Sequence, residues 1–268
     1  KKKPKVCKER DKTKAQADWP LELPAQTPVG RPSPQLEEVE PRFLEFEQDP
    51  TNWRELASPE ALSKLNKKET KRQEVINELF ATEHAHVRML SVLQMVFSKP
   101  LEREALLSTT ELAAIFPNLD EIIDMHYNFY ENLKKLRGDD NFIVRSISPT
   151  VLNRFGGTEG EWFQKLTARF CSHQSWALDQ IKMVPYMHSH SDSVCPQCRR
   201  LQLKDIIPIE MQRLTKYPLL LENIAKSTED LEEKEKIQQS AECCRKILNH
   251  VNEEVKEMEN LLIERPST

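Results

Sequence analysis

Few residues in this chain have the types and spacing that chemistry needs. Cys195-Pro-Gln-Cys198 has the gap of a zinc-ligand pair, and His188 and His190 lie just upstream. A four-ligand site can be drawn from them. Against it stand the lack of a second cysteine pair and the polar, proline-containing stretch that holds both histidines. Incidental thiols in a loop are the simpler reading, so neither metal nor cofactor is expected. No Gly-x-x-x-x-Gly-Lys, GxGxxG, HExxH or GxSxG pattern occurs.

Two polar sets lie against apolar helical stripes instead. In VINEL, Glu78 adjoins Val75, Ile76 and Leu79, and Glu83 lies further along the same stripe. A buried carboxylate there pairs with a lysine or arginine, whereas an exposed one makes an electrostatic contact with a partner. In Leu201–Ile224, the apolar residues Ile206, Ile207, Ile209, Met211, Leu214, Leu219, Leu220, Leu221 and Ile224 recur near helical spacing. Gln212, Arg213, Thr215, Lys216 and Tyr217 are set among them, and Pro218 follows. Proline inside a helix removes a backbone donor and bends the axis. The cluster is therefore either a bend in a core helix or a docking surface.

Helices must position these residues. The spacing predicts a first long helix over roughly 67–98, with Val75, Ile76, Leu79, Phe80, Val87, Leu90, Leu93 and Phe97 as its stripe. Ser108 and Glu111 have capping-box spacing before a second helical piece. A third covers Asn118–Arg137 and breaks at Gly138. Amphipathic stretches follow over Phe142–Phe155 and Trp162–Lys182, and the last long helix spans roughly 229–262. No segment alternates as a strand does. The expected fold is an all-α elongated helical bundle.

Composition agrees. The 268 residues contain 5 glycines and 17 prolines, with 31% charged residues and a net charge of -4. Few glycines argue against β-turn-rich folds and phosphate loops, and the charge gives no reason to expect nucleic acid. No apolar run approaches the roughly 20 residues of a membrane span. The six cysteines lack framework spacing, so reduced thiols and a cytosolic setting are expected. Residues 1–50 read as a mostly disordered linker, basic and then acidic. Within it, Phe43, Leu44 and Phe46 form an apolar knot able to dock on the domain or on a partner. Residues 51–66 read as an extension packing through Trp53, Leu56, Leu62 and Leu65, with Ser58-Pro59 starting a helix.

KRQEVINELFATEHAHVRML (71–90), LKDIIPIEMQRLTKYPLLLENI (203–224) and AECCRKILNHVNEEV (241–255) occur in that order. They resemble the first and third conserved regions and the last long helix of Dbl-homology domains, the catalytic domains of Rho-family guanine nucleotide exchange factors. The wording is closest to the subgroup that also carries a regulator-of-G-protein-signalling domain. The resemblance covers roughly 67–262. It implies exchange of GDP for GTP on a RhoA-like GTPase, without covalent chemistry. By family role, Glu78 contacts switch I, and Lys216 and Asn252 the switch II side. Gln212, Arg213 and Leu214 build the same surface, and Arg200 reads the strands between the switches. The resemblance further implies that the acidic residues Glu37, Glu38, Glu40, Glu45 and Glu47 restrain exchange and that Trp53 completes the domain. The resemblance also implies a cytoplasmic protein recruited to the plasma membrane on activation, touching membrane only indirectly. By the same resemblance, a heterotrimeric G-protein α subunit is expected to act through domains upstream, and residues 263–268 to lead toward a pleckstrin-homology domain. Met183–Gln197 departs from the family by being shorter and unlike its counterpart. The alternative is a helical module that binds a GTPase or scaffold without exchanging nucleotide.

Overall fold

The computed structural model of the chain describes residues 40–182, 198–199 and 201–264, and no strand occurs among them. A 3-10 helix (Pro41–Glu47) leads into α1 (Trp53–Leu56), α2 (Pro59–Ser63) and α3 (Lys67–Val92). After it come α4 (Lys99–Arg103), α5 (Thr109–Ile115), α6 (Leu119–Asp139), α7 (Ser148–Phe155) and α8 (Gly157–Ser172). The last are α9 (Gln174–Lys182), α10 (Leu203–Ile206), α11 (Ile209–Lys226) and α12 (Leu231–Ile263). Side-chain caps start several of them. Ser58, Asn66 and Asp230 each accept a backbone N–H at the helix start, and Ser108 with Glu111 forms the full capping box.

The eight stripe residues of the first helix are all buried. Beyond Val92 that helix widens into a π stretch, Leu93–Ser98, and runs on as α4. Pro100 cannot donate to the carbonyl four residues back. The wide turn absorbs this, with Lys99 N–H reaching Gln94 O five residues back. The expected helix over 142–155 starts only at Ser148. Asn141 and Phe142 have left-handed φ values of 52° and 67°. The backbone of Val144 bonds the Gln73 side chain in both directions, at 2.9 and 2.7 Å, in place of a helical partner. The helix expected from Trp162 starts at Gly157, whose φ of 57° suits glycine, and His173 divides it into α8 and α9. Pro208 separates α10 from α11, while α11 continues through Pro218.

The helix α11 packs against α12 and α3; α12 also covers α7 and α8, and α6 lies between α3 and α8. Leu79, Leu90, Ile122, Ile123, Phe163, Leu221, Ile224, Ile237 and Val251 fill the centre. The N-terminal boundary lies earlier than residue 51. Phe43 and Phe46 are buried, with the Phe46 ring 4.8 Å from His84 and 4.9 Å from Tyr130. Leu44 faces solvent. Glu45 accepts from Lys134 Nζ at 2.9 Å and Tyr130 Oη at 3.1 Å, and Arg42 bonds Asp124 at 2.7 Å. The docking-back reading of the knot therefore holds for its two phenylalanines. Trp53 is buried and donates from Nε1 to Glu74 at 3.3 Å, while Leu56 is 40% exposed.

Candidate functional site

Three helices converge on a cluster of buried polar groups. His126 of α6 presents Nδ1 to Glu83 Oε1 of α3 and Nε2 to Glu210 Oε1 of α11, both at 2.7 Å. His86 Nε2 lies 2.7 Å from the other Glu210 oxygen. Arg213 donates to Glu83 Oε2 from Nε at 2.9 Å and from Nη2 at 2.8 Å, and Tyr217 Oη donates to the same oxygen at 2.7 Å. All six side chains are buried. Burial alone would lower the His126 pKa, but the Glu210 and Glu83 charges outweigh it and raise the pKa to about 9. Burial would raise both carboxyls. The Arg213 and His126 charges hold Glu83 well below its usual range, and His126 and His86 bring Glu210 down to about 2. Burial and then the His126 charge lower His86. Two carboxylates, one guanidinium and one imidazolium thus balance to zero, which a buried cluster requires. His86, His126 and Glu210 offer metal-ligating atoms within 4.8 Å of one another. Direct hydrogen bonds already occupy those atoms, and both Glu210 oxygens are used, so the trio is satisfied without an ion.

The cluster fixes the register of the helices. His86 meets Glu210 and Glu83 meets Arg213, so α3 and α11 run antiparallel. From Glu83 and Arg213, about 7.5 Å back along α3 and about 4.5 Å on along α11, in the same direction, lie Glu78 and Lys216. On the other side, Arg245 of α12 pairs with Glu222 of α11. The four-residue connection 227–230 makes this pair antiparallel too. About 10 Å along each helix from that ion pair lie Lys216 and Asn252. Glu78, Lys216 and Asn252, some of them far apart in sequence, therefore stand at one level of the bundle. Glu78, Gln212 and Lys216 are exposed and Asn252 is half-buried. Neither Glu78 nor Lys216 forms an ion pair with another described residue.

Arg213 and Leu214 require a correction. Both are buried, at 6% and 2% exposure, so neither faces a partner. Leu214 is core, and the Arg213 head is consumed by Glu83 and by Thr82 Oγ1 at 2.9 Å. The carboxylate paired to arginine beside the first stripe is Glu83, not Glu78. Glu210, His86 and His126 were not singled out as polar sites, although Glu83-x-x-His86 and Arg213-x-x-x-Tyr217 place each pair on one helix face. Glu40 bonds Arg42 at 3.0 Å and Lys99 at 3.4 Å, and Glu47 is exposed. Arg200, Glu37, Glu38, Cys195, His188 and His190 lie outside the described residues. Cys198, the remaining member of the zinc reading, is buried. No described helix is long and apolar enough to cross a membrane.

The family model of the RhoGEF domain matches residues 75–252, which span Glu78, the buried cluster and Asn252. The chain belongs to the RhoGEF domain family. Human Rho guanine nucleotide exchange factor 1 is 49% identical over 226 residues, covering 82% of this chain and 25% of that protein. Human Rho guanine nucleotide exchange factor 12 is 48% identical over 223 residues, covering 81% and 14%. The chain thus spans a quarter or less of these curated relatives. Among solved RhoGEF structures, the DH/PH domains of p115-RhoGEF superpose with a TM-score of 0.75 at 48% identity, covering 80% of this chain and 60% of that one. The DH/PH fragment of PDZRHOGEF, solved in complex with human RhoA, gives 0.74 at 45% identity, covering 78% and 61%.

Proposed function

We propose that this chain accelerates GDP release from a RhoA-like GTPase. The observation that carries the reading is the level shared by Glu78, Lys216 and Asn252, which brings to one edge of the bundle an exposed carboxylate and ammonium that form no ion pair among the described residues. Glu78 draws switch I from its closed position, and Gln212, Lys216 and Asn252 engage the switch II side. Arg200 reads the strands between the switches. No bond is made or broken. The chain binds the nucleotide-free GTPase more tightly than the loaded one, and moving the switches loosens their hold on magnesium and phosphate. The relative solved with RhoA supports this partner class.

The same reading assigns restraint to Glu37, Glu38, Glu40, Glu45 and Glu47 and support to Trp53. Glu45 already lies on Lys134. The Trp53 backbone N–H bonds Asn77 Oδ1 at 3.3 Å, beside Glu78.

Release of a fluorescent GDP analogue from RhoA and Rac, measured side by side, tests the function. The chain is expected to act on RhoA, and Glu78→Ala with Lys216→Ala to abolish release while helicity is kept. Binding of nucleotide-free RhoA without faster release would mean a scaffold module instead.

A further inference from the structure

Arg213 lies at the docking edge without reaching it. Besides its two bonds to Glu83, it donates from Nη1 to Thr82 Oγ1 at 2.9 Å, and Thr82 Oγ1 donates to the Glu78 carbonyl at 2.6 Å. A continuous chain of hydrogen bonds thus links the backbone of Glu78 to a guanidinium. Gln212 adjoins that guanidinium's residue in sequence, and Lys216 follows on the next turn. The guanidinium also lies over the Tyr217 ring, 4.5 Å from its centroid.

Resting on the docking reading above, we propose that Arg213 is a positioning residue for nucleotide exchange. Its bridge through Thr82 fixes the slide and rotation of α11 against α3, and so the separation of Lys216 from Glu78. The guanidinium fork suits this task because it binds Glu83 on one edge and Thr82 on the other, which a lysine's point charge does not reproduce. Accuracy matters because both switches must be engaged at once, and small misplacements of contact groups cost rate. Thr82 is only half-buried, so the bridge can be cut there without opening the core.

The test measures GDP release from RhoA at saturating and limiting GTPase for Thr82→Val, Arg213→Lys, Lys216→Ala and the two pairings with Lys216→Ala. Bonds to charged groups are worth enough that Thr82→Val and Arg213→Lys are each expected to lower the maximal rate about tenfold. The Thr82→Val protein is expected to melt as the wild type does. Added to Lys216→Ala, neither change is expected to slow release further, because both act through that contact. A purely structural role predicts multiplied losses instead. Wild-type release by folded Thr82→Val, or multiplied losses, overturns the positioning role alone. A wild-type chain that releases no nucleotide overturns the docking reading with it. Should Arg213→Lys unfold, Thr82→Val still decides.

Discussion

His126 and Glu210 meet through a 2.7 Å bond between Nε2 and Oε1, joining α6 to α11 where no solvent reaches. The proton on that bond makes the joint sensitive to alkali. In the unfolded chain a histidine titrates near pH 6.5, and here His126 titrates near 9. A raised folded pKa gives stability that is full below about pH 6.5 and is lost as pH rises through about 9. His86, shifted the other way, acts below that window. The thiols of Cys171 and Cys244, which burial pushes up, are common to wild type and variant. Urea midpoints of wild type are therefore expected to fall across the window more steeply than those of His126→Gln. The variant is also expected to be about 3–5 kcal/mol less stable at neutral pH, because it leaves buried carboxylates underpaired. Parallel pH profiles would refute the charged assignment.

Glu233 ties the start of α12 to the start of α7. Its Oε1 accepts from the N–H groups of Ile147 and Ser148 at 2.8 and 3.0 Å, and Oε2 from Ser146 Oγ at 2.8 Å. Glu233→Ala strands two buried donors, each worth about 1–3 kcal/mol. Its urea midpoint is expected to fall with the denaturant slope unchanged. An unshifted midpoint is the outcome that sinks this account.

Phe46→Ala is expected to release residues 41–47 while leaving the bundle intact. Phenylalanine truncation costs about 3–5 kcal/mol, and the 3-10 helix is held mainly by its two buried rings and a few surface ion pairs. Amide exchange at 43–48 is expected to rise sharply while α12 keeps its protection. Equal protection in variant and wild type would show that the rings do not hold the segment.

The restraint assigned to the acidic residues calls for a cut that spares those rings. Removing residues 1–49 would strip Phe43 and Phe46 from the core, so 1–268 is best compared with 40–268. Faster exchange by 40–268 at low salt, converging with 1–268 as salt is added, is the expected result. Equal rates at low salt would show that Glu37 and Glu38 restrain nothing.

The bundle was legible because its information is periodic. Each apolar residue of the first stripe is buried where the spacing put it, and the Ser108–Glu111 box caps the helix it predicts. Helix starts failed where tertiary partners took over the backbone. Gln73 claims Val144 and Glu233 claims Ile147, and neither partner is local in sequence. Glu78 and Lys216 were singled out because motifs carried them, and both are exposed. Arg213 was misassigned from the same motif, since adjacent residues of a helix point in different directions and only the packing tells which one enters the core. The three-helix charge cluster depends on pairings over 43 to 134 residues, which a single sequence does not reveal.

Burial along α12 ends at Val251, although the helix runs on to Ile263. The last twelve residues, about 18 Å of helix, are held along one side only, where Val255 packs against the core and Ser175 Oγ donates to Glu259 at 3.4 Å. Asn252 stands where full burial gives way to this one-sided hold, so a sideways load on the far end of α12 reaches the residue assigned to the GTPase contact.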